Sequence, residues 1–276
     1  MSATICNICP HQCKLDEEQI GLCMARSNKN GKVVAINYGL LTSIALDPIE
    51  KKPLYRFFPG SKILSVGSFG CNFRCSFCQN HEISMAKINQ VETKYISPKD
   101  LIQIAKEFVP EGNIGIAFTY NEPLIGYEYV LECAKLSRQE GLKTVLVTNG
   151  YINEEPLLTL LPLIDALNID LKAFREDFYR DIKGDLEKVK HTIELAAQYC
   201  HVEVTTLIIP GENDSDEEIK KLSSWLASVR PDIPLHLTRF FPRYHWKERD
   251  ATDVKNIFRL AGIAREYLQY VYEGNY

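Results

Sequence analysis

From residue 62 onward, short apolar strand-like runs alternate with helix-like stretches, and this alternation limits the possible folds more than any other feature of the chain. The strand-like runs lie at 62–67, 114–118, 144–147, 166–172, 202–209 and 235–240. Ser97 and Pro98 open a helix expected to reach about 109, where Pro110 and Gly112 stop it. Further helices are predicted over about 124–139 (Gly141 lies beyond its end), from Asn153 onward, over 186–199, through 229 after the capping and acidic run Asp214-Ser215-Asp216-Glu217-Glu218, and over 252–271. Six such units predict an α/β fold with a parallel sheet and right-handed crossovers. The polar turns of this region close the predicted strands at their C-terminal ends, the face where barrel enzymes keep their chemistry.

One of those turns carries three cysteines. Ser68-Phe69-Gly70-Cys71-Asn72-Phe73-Arg74-Cys75-Ser76-Phe77-Cys78-Gln79-Asn80 places Cys71, Cys75 and Cys78 in C-x3-C-x2-C spacing, and Gly67 and Gly70 let the backbone fold tightly enough for the sulfurs to converge. Iron–sulfur cubanes are held by cysteine thiolates, usually four. Three on one loop suggest a [4Fe-4S] cluster with one iron open to a non-protein ligand; three thiols of a zinc site with a distant fourth ligand is the alternative. A second group, Cys6, Cys9, Cys13 and Cys23, puts four thiols on turns, enough for a closed site holding zinc or a second iron–sulfur cluster. His11 lies inside that group as an exposed residue or a substitute ligand. Cys133 and Cys200 fall in predicted helices and read as small buried residues, although either could in principle be the fourth ligand of the three-cysteine loop.

Seven of the nine cysteines thus sit in metal-type clusters, the usage of a reducing compartment. The net charge of −4 and pI near 5.9 leave no electrostatic footprint for nucleic acid or an anionic membrane surface. No apolar run approaches the roughly 20 residues that span a bilayer, and the first residues have no secretory pattern, so a cytoplasmic protein is expected. We expect residues 1–60 to form a four-cysteine knuckle with a β extension, in which the β-rich runs 32–38 and 40–45 around Gly39 make a hairpin or edge strands. Residues 61–276 form the main domain.

The cysteine loop, Thr119-Tyr120-Asn121-Glu122-Pro123, Thr148-Asn149-Gly150 and Asp170-Leu171-Lys172 together resemble the radical S-adenosylmethionine (SAM) superfamily, nearest to pyruvate formate-lyase activating enzyme. More narrowly, the C-x-x-C-P-H-x-C run from Cys6, Asp47-Pro48-Ile49-Glu50-Lys51-Lys52-Pro53-Leu54, Gly70-Cys71-Asn72-Phe73 and Cys78-Gln79-Asn80 resemble AmmeMemoRadiSam system radical SAM enzymes. The resemblance implies a partial (β/α)6 TIM-like barrel with an N-terminal metal-binding extension of four cysteines. It also implies reductive cleavage of SAM at a [4Fe-4S] cluster, giving methionine and a 5′-deoxyadenosyl radical that abstracts hydrogen from a substrate. That substrate is either a glycyl residue of a partner protein or another molecule. A flavodoxin or ferredoxin would supply the electron, and Memo-like and AMMECR1-like proteins are the implied associates.

For the cofactor pocket the resemblance points to Phe77 beside the third cysteine, to Asn121 and Glu122 near SAM's amino group, and to Lys172 on its carboxylate with Asp170 near a monovalent cation; Thr148 and Asn149 are candidates to line SAM's ribose or methionine portion. The same residues have plainer readings. Asn121 and Glu122 are a helix-capping pair, Thr148 and Asn149 are turn residues, and Asp170 and Lys172, on one face of their strand, are a structural ion pair. His236 alternates with Leu235 and Leu237, so it faces either the pocket or a hydrogen-bonded core position. Thr205, Arg239 and Tyr244 are further candidates. The competing function classes are a non-catalytic iron–sulfur or zinc redox sensor and, against the acidic charge, a nucleic-acid module.

Overall fold

The computed structural model describes residues 3–276. Its centre is an eight-stranded sheet: β1 Ser43–Pro48, β2 Lys62–Gly67, β3 Asn113–Phe118, β4 Lys143–Thr148, β5 Ala166–Asp170, β6 His201–Ile208, β7 Leu235–Arg239 and β8 Val271–Gly274. Spatial order follows chain order, with β2 through β8 parallel and β1 antiparallel to β2. The two end strands do not pair with each other, so the barrel stays partial. The crossovers carry α1 Pro98–Glu107, α2 Tyr127–Gln139, α3 Glu154–Leu160, α4 Leu186–Ala196, α5 Asp216–Val229 and α6 Val254–Ala264.

Local chemistry sets the helix ends. Ser97 Oγ accepts the Asp100 amide at 3.2 Å with Pro98 in the first turn, and Ser215 Oγ accepts the Glu218 amide at 3.2 Å, each satisfying a donor that the first turn cannot. Strand alternation separates two apolar layers. Leu64, Val66, Ile116, Phe118, Leu167 and Ile169 face the helices, whereas Ile63, Ala117, Val145 and Ala166 face inward. Burying each large aliphatic side chain contributes about 1.5–3 kcal/mol, so the outer layer supplies most of the fold's apolar drive.

One expectation needs correcting. The terminal helix ends at Ala264 rather than near 271, and the Tyr-Val-Tyr run after it leads into β8, a seventh parallel strand in register with Leu235–Thr238. Of the two readings of the runs around Gly39, the structure shows edge strands and not one hairpin: Lys32–Ala35 folds back on Arg26–Lys29, while Ser43–Pro48 joins the main sheet as its antiparallel edge.

The chain between β1 and β2 closes the N-terminal mouth of the barrel. Ile49, Leu54 and Phe57 pack on the inward residues of β2 to β5. The fully buried Glu203 carboxylate accepts the amides of Tyr55 and Arg56 at 3.0 and 2.7 Å, and Asn168 Nδ2 donates to the Pro53 carbonyl at 2.8 Å. Asp47 accepts from Lys52 Nζ and Tyr120 Oη, both at 2.8 Å, inside the same floor. His236 belongs here and not with the cysteine loop. It is the second residue of β7, its Nε2 lies 2.6 Å from Glu203, and its ring packs against Tyr55 and Tyr272. No helix among the described residues is long and apolar enough to cross a membrane.

Candidate active site at the cysteine loop

Residues 68–80 leave the C-terminal end of β2, and their backbone is fixed from three sides. Asn121 Oδ1 accepts the Ser68 amide at 2.9 Å, and its Nδ2 donates to the Gly70 carbonyl at 3.1 Å. Asn72 Nδ2 donates to the Tyr151 carbonyl at 2.7 Å, and Asn149 Nδ2 donates to Asn72 Oδ1 at 2.8 Å. The Arg74 amide reaches the Ile182 carbonyl at 2.8 Å, and its guanidinium returns to the Cys71 carbonyl at 2.8 Å. Asn80 Nδ2 donates to the Tyr120 carbonyl at 2.6 Å.

Gly70 holds a left-handed φ of +88°, and a Cβ there would stand 2.4 Å from the Cys23 carbonyl oxygen. Only glycine lets the N-terminal residues approach this loop so closely.

The three sulfurs lie in a low-dielectric setting with a positive neighbour. Burial pushes the Cys75 thiol up to about 12, with the Lys172 ammonium working the other way, and Cys78 is raised for the same reason. Cys71 is raised well above the ordinary thiol value by burial and by Glu122. The metal-free thiols therefore hold their protons, and a metal binding there must displace them.

Donors already face Cys71 Sγ: the Phe73 amide at 3.3 Å and Asn149 Nδ2 at 3.6 Å. As the side chains stand, no three His, Cys, Asp or Glu among the described residues close on a single ion. A cubane asks for something different, thiolates that each reach a separate iron, and three cysteines on one braced loop with donors to sulfur fit that need.

The expected pocket residues separate into two sets. Lys172 Nζ pairs with Asp170 Oδ2 at 2.6 Å at the end of β5, and its backbone amide donates to Tyr179 Oη at 3.0 Å. Burial opposes the charge on Lys172, but Asp170 favours it, as do Cys75 and Cys78 when they are thiolates, so its proton is held more firmly than usual.

Asn121, Glu122, Thr148 and Asn149 instead tie the loops together. Glu122, 3% exposed, accepts Thr148 Oγ1 at 2.7 Å and the Leu124 amide at 2.9 Å on one oxygen, and the Asn149 amide at 2.8 Å on the other. Burial still pushes its carboxyl up to about 7 against the pull of those donors. Phe77 is buried between Phe178 and Trp246, with ring centroids at 5.9 and 5.1 Å.

Among the further candidates, Tyr244 stacks on His81 beside Cys78, Thr205 donates to Asn168 in the barrel interior, and Arg239 is held by the Thr252 carbonyl. Cys133 lies against Tyr129, and Cys200 donates to the Ala196 carbonyl. Sequence reasoning missed Tyr179 and the bracing role of Asn72; the G-C-N-F run was the available signal for the latter.

The radical SAM superfamily model matches residues 65–223. The protein MJ0808 of Methanocaldococcus jannaschii is 37% identical over 274 residues, covering 98% of this chain and 80% of that one. The pyruvate formate-lyase-activating enzyme of Clostridium pasteurianum is 28% identical over 173 residues, covering 58% of this chain and 68% of the relative. Among solved structures, a domain of the pyruvate-formate lyase-activating enzyme from Bacteroides vulgatus superposes with a TM-score of 0.51 at 21% identity, covering 58% of this chain and 99% of that one. With a braced three-cysteine loop at the C-terminal mouth of a partial parallel barrel, the chain belongs to the radical SAM superfamily, on the side that resembles pyruvate formate-lyase activating enzyme.

Proposed function

We propose that the chain abstracts a hydrogen atom from a glycyl residue of a partner protein, as an activating-type member of its family. Membership implies SAM and a [4Fe-4S] cluster, and Cys71, Cys75 and Cys78 are the residues that would hold the cluster. Bound there, the cluster would supply the electron for reductive cleavage of SAM.

Lys172 would meet the carboxylate of SAM, with Asp170 keeping its ammonium aimed. Glu122, Asn121, Thr148 and Asn149 act one step back by holding three loops in register, which matters because small misplacements at a reacting centre cost large factors in rate. Phe77, with Trp246 and Phe178, supplies an apolar wall that keeps water from the loop. A flavodoxin or ferredoxin is the proposed electron donor, and Memo-like and AMMECR1-like proteins are candidate partners. The four N-terminal thiols form a second metal site.

The supporting observation is the ammonium of Lys172, salt-bridged to Asp170 and close enough to Cys75 and Cys78 to favour their thiolates. Replacing Lys172 with Ala removes a charge-assisted contact of about 1.5–3 kcal/mol, so SAM affinity should fall roughly tenfold to a hundredfold with iron content intact. Unchanged affinity would remove Lys172 from the pocket. Anaerobic reconstitution with dithionite, SAM and a deuterated glycine-bearing partner should move deuterium into 5′-deoxyadenosine. Label arriving only from a small molecule would replace the glycyl substrate by that one.

A further inference from the structure

We propose that Cys6, Cys9, Cys13 and Cys23 hold a redox-active iron–sulfur cluster that feeds electrons to the three-cysteine loop across a direct Cys23–Cys71 hydrogen bond. The inference rests on the reading of that loop as the SAM site.

The four cysteines are presented by one compact unit. The Cys6 amide donates to the Cys13 carbonyl at 3.0 Å, Gln12 turns back on Cys9 at 3.1 Å, and Cys23 sits in the turn closed by Met24 on Gly21. Cys6, Cys9 and Cys23 are buried.

A second observation points at the same place from outside the cysteines. Arg26 is 4% exposed, and its Nη atoms are spent on Glu128 at 2.8 and 2.6 Å and on the Ile125 carbonyl at 2.9 Å. Its Nε has no hydrogen-bond partner; burial opposes the guanidinium's charge, while Glu128 and, after it, Cys6 favour it. A buried donor without an acceptor costs about 1–3 kcal/mol, and a metal-bound thiolate is an acceptor that stays charged.

What distinguishes a relay from a structural clip is the connection to the neighbouring site. The Cys71 amide donates to the Cys23 carbonyl at 3.1 Å, so a ligand residue of one site is hydrogen-bonded to a ligand residue of the other. His11 Nε2 lies 2.8 Å from the Asn72 carbonyl, and Asn153 binds the Asn7 and Ile8 carbonyls at 2.7 and 2.9 Å, which keeps that link rigid. Four thiolates would occupy every iron of a cubane, leaving outer-sphere electron transfer as its chemistry, whereas three leave a corner for SAM. Ile5 and Ile20, 54% and 40% exposed beside the four cysteines, offer an apolar contact to a protein donor. The step would balance as one electron: a reduced flavodoxin- or ferredoxin-class donor would be oxidised, a cluster on Cys6, Cys9, Cys13 and Cys23 would take up and release that electron, and a cluster on Cys71, Cys75 and Cys78 would end reduced by one. No atom is transferred.

The test compares anaerobically reconstituted full-length protein with two variants, Cys71→Ala/Cys75→Ala/Cys78→Ala and Cys6→Ala/Cys23→Ala, by iron, sulfide and zinc analysis and by EPR after dithionite. We expect about eight irons in the natural chain and about four in each variant. Zinc at the N-terminal site, or a triple variant without iron, overturns the second cluster. A Cys6→Ala/Cys23→Ala protein that keeps about four irons yet never binds SAM indicts the active-site reading instead. For the relay, the ratio of flavodoxin-driven to dithionite-driven SAM cleavage should fall about tenfold or more in that variant; an unchanged ratio makes the site merely structural. Arg26→Gln, which keeps every cysteine, should lower the midpoint potential of the second EPR signal while Arg26→Lys restores part of it, and an unmoved potential refutes a cluster on Cys6 beside the Arg26 charge.

Discussion

Glu122 sets two large effects against each other. Its carboxylate accepts three hydrogen bonds, which favour the charged form, but it is almost wholly removed from water, which favours the neutral one. Burial wins, and the carboxyl is held near 7 against an ordinary 4.5. Between those values the folded protein binds more protons at this group than the unfolded chain, so its contribution to stability is fully present below about pH 4.5 and is lost as pH rises through about 7. Holding the carboxyl near 7 instead of 4.5 corresponds to about 3 kcal/mol.

Glu122→Gln keeps the shape, stays neutral, and sets its amide against at least one backbone N–H, costing about 1–3 kcal/mol at low pH. As pH rises from 4.5 to 8 the natural protein should therefore lose about 3 kcal/mol relative to the variant. Urea unfolding of the metal-free proteins at several pH values, taken as a difference so that other titrating groups cancel, measures this directly. A difference that stays flat, or that grows in favour of the natural protein with rising pH, would mean that the three donors outweigh burial and that the reasoning is wrong.

Lys52→Met removes the buried ammonium from Asp47, leaving it Tyr120 and the exposed Lys51 at 3.5 Å, and should cost about 1–3 kcal/mol, most of it recovered in the Asp47→Asn/Lys52→Met double variant; chemical denaturation of all three proteins checks the coupling. Gly70→Ala forces a side chain against the Cys23 carbonyl at a left-handed backbone and should cost at least about 2 kcal/mol along with part of the bound iron, read by melting temperature and iron per chain. Burial opposes the charge on Glu203, but His201 and His236 hold its carboxyl down at about 2. Its stabilisation is therefore present above about pH 4.5 and lost as pH falls through about 2, so Glu203→Gln should trail the natural protein by about 3 kcal/mol at pH 6 and close the gap in acid.

The alternation of strands and helices was legible because both periods are local, and so was the loop of Cys71, Cys75 and Cys78, whose ligands lie within eight residues of one another. The Tyr-Val-Tyr run of β8 was hidden because aromatic residues adjoining an amphipathic helix fit either conformation. His236 misled for a different reason. Alternation places it inside the barrel correctly, but which end it serves depends on Glu203 and on Tyr55, and no window of sequence contains all three. Arg26 was equally unreadable, because its partner Glu128 lies 102 residues away. Asn121 and Glu122 were found through their motif, yet their hydrogen bonds run to other loops, and only the assembled mouth of the barrel shows them as braces.

The floor of the barrel also sets a timetable for synthesis. Tyr55 leaves the ribosome 148 residues before the carboxylate that receives its amide. At about 5–20 residues per second, that is a delay of roughly 7–30 s. Throughout it, Ile49, Leu54 and Phe57 have no complete cavity to enter, while Cys6 to Cys23 have already emerged and Cys71 to Cys78 follow early in the interval. Both sets of thiols are thus available to a metal-delivery partner before the chain can close around them.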